Sequence, residues 1–156
     1  MENNIILSKY IGFDAKPDAV PYKYRLTYRI SLTCLIIRLT SSRSGCSLTK
    51  IHLITIAMYS QQGMENLIAY LENKNSNFIM LRFDPAVNKT IDFMLSDNII
   101  YQQKNMLFKL TDKGKKYTQK LLKDGDLLIE ERKFLKNIDN TLPESKINDI
   151  SKTLLG

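Results

Sequence analysis

The stretch FIMLRFDPAVNKTIDFMLSDNIIYQQKNMLFKLTDKGKKYTQKLLK, Phe78–Lys123, decides the fold. It opens on an apolar run of strand character, Phe78–Phe83. Asp84-Pro85 then starts a helix, because Asp is a good N-cap and Pro fits the first helical turn. Ala86, Val87, Ile91, Met94 and Leu95 share one side, which predicts a helix over 85–97 that ends at Asp97-Asn98. Residues 99–102 and 106–110 read as strands joined by the turn Gln103-Lys104-Asn105. Thr111 stops the second strand and caps a helix over 112–123, closed by Asp124-Gly125. Strand, helix, hairpin and helix in so short a window predict a winged helix. A lone hairpin is marginal in water, so strand 78–83 is expected to pair with it.

Outward from this unit the chain reads as helical. Upstream, residues 1–20 look irregular, with Gly12 and Pro17 as breakers. A helix is expected over 22–41, with Leu26, Ile30, Thr33 and Ile37 at helical spacing and Leu35, Ile36 and Leu39 widening the apolar face. A loop over 41–46 leads to a second helix that starts at Ser47 or Thr49 and ends near Ser60. Gln61-Gln62-Gly63 reads as a break before a third helix over 64–73. Downstream, an amphipathic helix is expected over 127–138. Thr141 and Glu144 have capping-box spacing for a last helix. The resulting class is α+β, mostly α: a winged helix-turn-helix with additional N- and C-terminal helices. Its parts are an N-terminal segment 1–20, a winged-helix domain 21–123 and a helical extension 124–156.

The helix before a wing usually meets DNA bases, and reading base edges takes Arg, Lys, Asn or Gln. Its exposed face is expected to offer Asn88, Lys89, Thr90, Asp92 and Ser96, flanked by Asp84 and Asp97. That is a poor base reader. Phosphate contact is another matter. The chain carries 23 Lys and Arg against 16 Asp and Glu, a net charge of +7. Lys104, Lys109, Lys113, Lys115, Lys116, Lys120 and Lys123 crowd the wing and the helix after it. Lys23, Arg25, Arg29, Arg38, Arg43 and Lys50 surround the first helix, and no carboxylate occurs between Asp18 and Glu65. Arg25 and Arg29 lie one helical turn apart, with Tyr24 and Tyr28 beside them. Basic side chains with neighbouring aromatics suit a nucleic-acid backbone. The candidate contacts are Lys23, Arg25, Arg29, Lys104, Lys113, Lys115, Lys116 and Lys120. The same charge also fits an acidic protein partner, a solvated face, or the composition of a lysine-rich proteome.

Catalysis is not expected. His52 is the only histidine, and no nucleophile–base set assembles around it. Cys34 lies in an apolar helix, where a thiol is inert. Cys46 is expected in an exposed loop without a base. Glu130-Glu131 beside Arg132-Lys133 is a charged helix face. Gly63, Gly114 and Gly125 stand alone, so no glycine loop cradles a phosphate. No ligand set for a metal is present, and no cofactor is expected. Two cysteines without a framework point to a reducing cytosol. The start, Met1-Glu2-Asn3-Asn4, lacks a basic leader, and the apolar run Ile30–Leu39 is broken by Thr33 and Arg38. A cytoplasmic protein without a membrane segment is the expectation.

Taken in order, Pro21-Tyr22-Lys23-Tyr24-Arg25, Ser47-Leu48-Thr49-Lys50-Ile51-His52-Leu53, Arg82-Phe83-Asp84-Pro85 and Phe108-Lys109-Leu110-Thr111-Asp112-Lys113-Gly114 resemble the small middle components of bacterial three-component ABC systems. The Lamassu anti-phage systems are of this kind. The resemblance covers residues 21–156. It implies a non-catalytic winged-helix subunit between an SMC- or Rad50-like ATPase and an effector such as a nuclease, with double-stranded DNA as a further, non-specific contact. Asn98 stands where many winged-helix units have Gly, and Asn tolerates the left-handed conformation needed there. The C-terminal helices could pack on the core, dock on a partner helix, or form a homodimer. Two other functions remain open: a winged-helix transcription regulator that selects a palindromic site, and a protein adaptor without DNA affinity.

Overall fold

A computed structural model describes residues 25–41, 43–74 and 84–155 of the chain. The described residues are mostly helical, with one two-stranded antiparallel sheet. The elements are α1 (Leu26–Thr40), α2 (Leu48–Ala57), α3 (Gln61–Leu71), α4 (Pro85–Ser96), β1 (Ile100–Gln102), β2 (Phe108–Leu110), α5 (Asp112–Lys123), α6 (Ile129–Ile138) and α7 (Glu144–Leu155). The expected segment 1–20 and strand 78–83 lie outside the described residues, as does the first turn expected for α1. No helix among the described residues is long and apolar enough to cross a membrane.

The hairpin, α4 and α5 follow the local rules that predict them. Asp84 caps α4 by accepting the Ala86 N–H at 2.9 Å, with Pro85 in the first turn. Asn98 has φ +58 and turns the chain from α4 into the sheet. Ile100 pairs with Leu110, Tyr101 with Lys109 and Gln102 with Phe108. Thr111 Oγ1 accepts the Gly114 N–H at 3.1 Å and donates to the carbonyl of Asn98 at 2.5 Å. One hydroxyl therefore ends a strand, caps a helix and ties it to the turn before the sheet. Gly114 is needed for closeness: a Cβ there would sit 2.1 Å from the Ile99 carbonyl oxygen.

The hairpin also has a neighbour from far upstream. Cys46 forms a single antiparallel bridge with Phe108, its N–H 2.9 Å from the Phe108 oxygen and the reverse bond at 2.8 Å. The connector between α1 and α2 thus takes the sheet edge beside β2. Cys46 is fully buried there, not exposed as a loop composition suggests.

Several helix boundaries differ from expectation for identifiable reasons. Gln61-Gln62-Gly63 is the first turn of α3, not a break, because Ser60 caps it through the Gly63 N–H at 2.9 Å. Gly63 marks a close approach, since a Cβ would stand 2.4 Å from the Ala57 oxygen. Thr141 does not cap α7. It closes a 3-10 turn over Asp139–Thr141 and donates to Ile138. Glu144 instead reaches across the fold and accepts the Ser47 N–H at 3.0 Å, at the start of α2.

The core forms around α1. Residues Arg29 to Ile37 of this helix are all buried, and it meets α2, α4, β2, α5 and α6. Leu26 was expected to face inward but is 45% exposed at the helix start. Phe134, Leu135 and Ile138 of α6, Leu142, and Ile147 and Ile150 of α7 belong to the same core cluster as the α4–hairpin unit. Of the uses open to the C-terminal helices, packing on the core is the one these residues adopt.

The Gly114 contact generates a test. Gly114→Ala should destabilise the protein by about 3 kcal/mol, the scale of an overpacked site whose neighbour is backbone. Gly125→Ala, where an added Cβ meets nothing within 4 Å, should leave stability nearly unchanged. Urea midpoints at constant slope measure both.

Candidate nucleic-acid interface

The cations grouped by sequence separate in three dimensions into structural and surface sets. Lys23 lies outside the described residues. Arg25 is exposed at the α1 N-cap position, with extended backbone. Arg29 does not share its exposure. Its guanidinium is drawn inward, 3.9 Å from the Asp84 carboxylate, donating to the Tyr59 hydroxyl at 3.3 Å and lying 5.9 Å from the Tyr59 ring centre. Only 10% of that side chain is exposed, so Arg29 braces the fold and does not present to a phosphate. Lys113 caps the end of α4, bonding the Asp97 carbonyl at 2.8 Å and its carboxylate at 3.2 Å. Lys50 is 1% exposed and donates to the carbonyl of Thr40 at the end of α1. Lys104, Lys115, Lys116 and Lys120 remain on the surface.

Four other placements bring charge together. Arg38 sits in the last turn of α1 and Arg43 in the connector. The Cys46–Phe108 bridge holds that connector against β2, which carries Lys109. The turn at Thr111 then brings Lys115, in the first turns of α5, to the same place. Arg38, Arg43, Lys109 and Lys115 line one open cleft of about 400 Å³ whose apolar wall includes Ile37 and Leu110. No carboxylate lines it, and none of the four is in an ion pair among the described residues. Of these, sequence reasoning selected only Lys115 as a contact. Arg38, Arg43 and Lys109 were visible as basic residues, but nothing in their spacing links positions 38, 43, 109 and 115.

The α4 surface is poorer for base reading than its sequence suggests. Thr90 is 2% exposed and bonds back to the Ala86 carbonyl. Asn88 bonds His52 Nε2 through its amide oxygen at 3.0 Å. The outer face is left to Lys89, Asp92, Phe93 and Ser96.

His52 is buried between these groups. Its Nδ1 accepts the Asp84 N–H at 3.2 Å, which leaves Nε2–H to donate to Asn88. This histidine ties α2 to the start of α4. Asp84 is the hub of the cluster. Burial pushes its carboxyl upward, but the Tyr59 hydroxyl, the Ala86 N–H, Arg29 and His52 together outweigh that and hold it below its ordinary 3.8. Burial raises Tyr59, and the adjacent Asp84 adds to the effect. Among the described residues, no group of three His, Cys, Asp or Glu could hold a metal ion. Compared with known families, curated proteins and solved structures, the chain matches none of them.

Two outcomes follow from the buried titratable groups. A carboxylate with a depressed pKa contributes stability that is complete above its unfolded value and is lost as pH falls through the folded one. Asp84→Asn keeps an N-cap but removes the charge. It should flatten part of the acid limb below about pH 4 in urea midpoints measured against pH. Burial also raises Cys34 to about 11 and Cys46 to about 12. Both thiols should resist a disulfide reagent at about pH 8 until the chain is unfolded, read as thiolate release with and without denaturant.

Proposed function

We propose that the protein is a non-catalytic winged-helix accessory subunit that holds duplex DNA by its phosphates, without sequence preference, inside a larger protein assembly. The four-cation cleft carries this reading. Unpaired cations around an open, carboxylate-free surface favour a polyanion through counterion release. The winged-helix part is supported by element order. A helix, a strand-like pairing at Cys46, the helices α2 and α4, a hairpin and then α5 follow one another, with α3 inserted. The hairpin β1–β2 is the wing. Binding by phosphate, not base, is supported by α4, whose outer face has one lysine, an acid and an exposed phenylalanine.

The sequence resemblance supports the assembly: an SMC- or Rad50-like ATPase and an effector such as a nuclease, in anti-phage or anti-plasmid defence. A transcription regulator needs a base-reading helix, which α4 does not supply. Co-expression with an adjacent coiled-coil ATPase, followed by pull-down, tests the partnership.

The DNA contact has its own test in a salt series on duplexes of unrelated sequence. Lys109→Ala with Lys115→Ala should weaken binding equally on every sequence. It should also lower the slope of log affinity against log salt by about 2, the loss of two phosphate contacts. Lys89→Ala on α4 should change neither. Selection of one sequence by the wild-type protein that is lost in Lys89→Ala, or no binding at low salt, defeats the proposal.

A further inference from the structure

The tip of the hairpin carries a residue that neither the fold nor a phosphate cleft requires. Met106 has φ +72, in the left-handed region that favours Gly or Asn over other side chains. It is 65% exposed, more than any other large apolar side chain among the described residues. A turn that served only to reverse the chain would be better made with glycine here.

The tip is also held still. The Met106 N–H bonds the Gln103 carbonyl at 2.9 Å, and Gln103 N–H bonds the Leu107 carbonyl at 2.9 Å. The Asn105 side chain accepts the Leu107 N–H at 3.0 Å, and Gln102 donates to the Met106 carbonyl at 3.1 Å. Gln103 donates to Ser44 at 2.7 Å, which moors the turn to the connector that bears Arg43. A thioether is thus displayed on a braced tip beside Lys104. The same hairpin runs back to the basic cleft, because Tyr101, 45% exposed, faces Lys109 across the sheet.

We propose that Met106 is an apolar wedge that enters a base step of duplex DNA while Lys109 and the other cleft cations hold the neighbouring phosphates. The proposal rests on the reading of the cleft as a phosphate site and adds a deformation of the bound duplex. An unbranched, polarisable side chain fits between base edges, and an apolar wedge that partly unstacks a step lets the duplex bend onto more protein surface. The position also accounts for the charge pattern: cations lie along the hairpin and its base, and the apolar group stands at its end. Any sequence preference that arises comes from the flexibility of the step. Pyrimidine–purine steps unstack most easily.

The experiment uses the full chain and a fluorescein-labelled duplex of about 20 base pairs, with 2-aminopurine placed at a TA step. Wild-type protein should bind and raise the 2-aminopurine emission as the step opens. Met106→Asn keeps a residue that tolerates the left-handed turn. It should unfold at the same or a higher temperature, bind about tenfold more weakly and leave the emission flat. Met106→Leu restores apolar bulk and should recover both affinity and signal. Equal affinity and emission for wild type and Met106→Asn would overturn the wedge, leave the phosphate cleft standing and turn Met106 toward a protein pocket. Absence of wild-type binding at low salt would overturn both.

Discussion

Burying a helix on every side obliges each of its polar groups to find a partner inside the protein, and the rest of this structure is arranged around that obligation. In α1, Thr33 and Thr40 bond back to the carbonyls of Arg29 and Ile36. Ser31 bonds the Thr27 carbonyl and meets the Tyr117 hydroxyl of α5 at 2.6 Å. Arg29 cannot be satisfied locally. Its ion pair with Asp84 fixes where α4 begins, and Tyr59 and His52 close the same cluster from α2 and the residues after it. At the other end, Lys50 satisfies the carbonyl of Thr40. The position of the hairpin follows, since α4 leads directly into β1.

The charge excess of the chain divides between two tasks. Arg29, Lys50 and Lys113 serve carbonyls and carboxylates within the fold. Arg132 does the same, holding the turn between α5 and α6 through the carbonyls of Leu122, Asp124 and Leu127. Others stay on the surface: Arg38, Arg43, Lys109 and Lys115 line the open cleft and take no ion pair among the described residues. A net charge is therefore a weak guide to a binding surface until the internal share is subtracted. After subtraction, four surface cations come together where the end of α1, the connector and the hairpin meet.

The parts of the fold that were legible in sequence are those governed by neighbours along the chain. Asp84-Pro85, Asn98 and Thr111 set the limits of α4, the hairpin and α5, and the two caps act on N–H groups two or three positions ahead, at Ala86 and Gly114. The first turn of α3 was hidden because Gly63 looks like a breaker, whereas it serves the close approach to Ala57. The capping role expected of Thr141 failed because its hydroxyl closes the 3-10 turn by donating to Ile138, and α7 begins only at Glu144. The division between Arg25 and Arg29 was not legible, since a helix buried all round gives no polar stripe to mark which cation turns inward. The cleft was only half legible. Its charges appear as basic runs, but their meeting depends on the Cys46–Phe108 pairing, which joins residues far apart in the chain.

The wrapping of α1 has a consequence for synthesis. Cys34 and Leu35 reach full burial with the help of α5 and α6, and Leu135 leaves the ribosome about 100 residues after they do. At roughly 5–20 residues per second, that interval is about 5–20 s. Until then this helix, whose residues 29 to 37 are all buried in the finished protein, has only the elements already synthesised to cover it. A growing chain in this state offers a sticky surface to its surroundings, and a holding chaperone or an early-binding partner subunit would find its handle there. The central helix that organises the finished protein is thus a surface the unfinished one leaves open until its last helices are made.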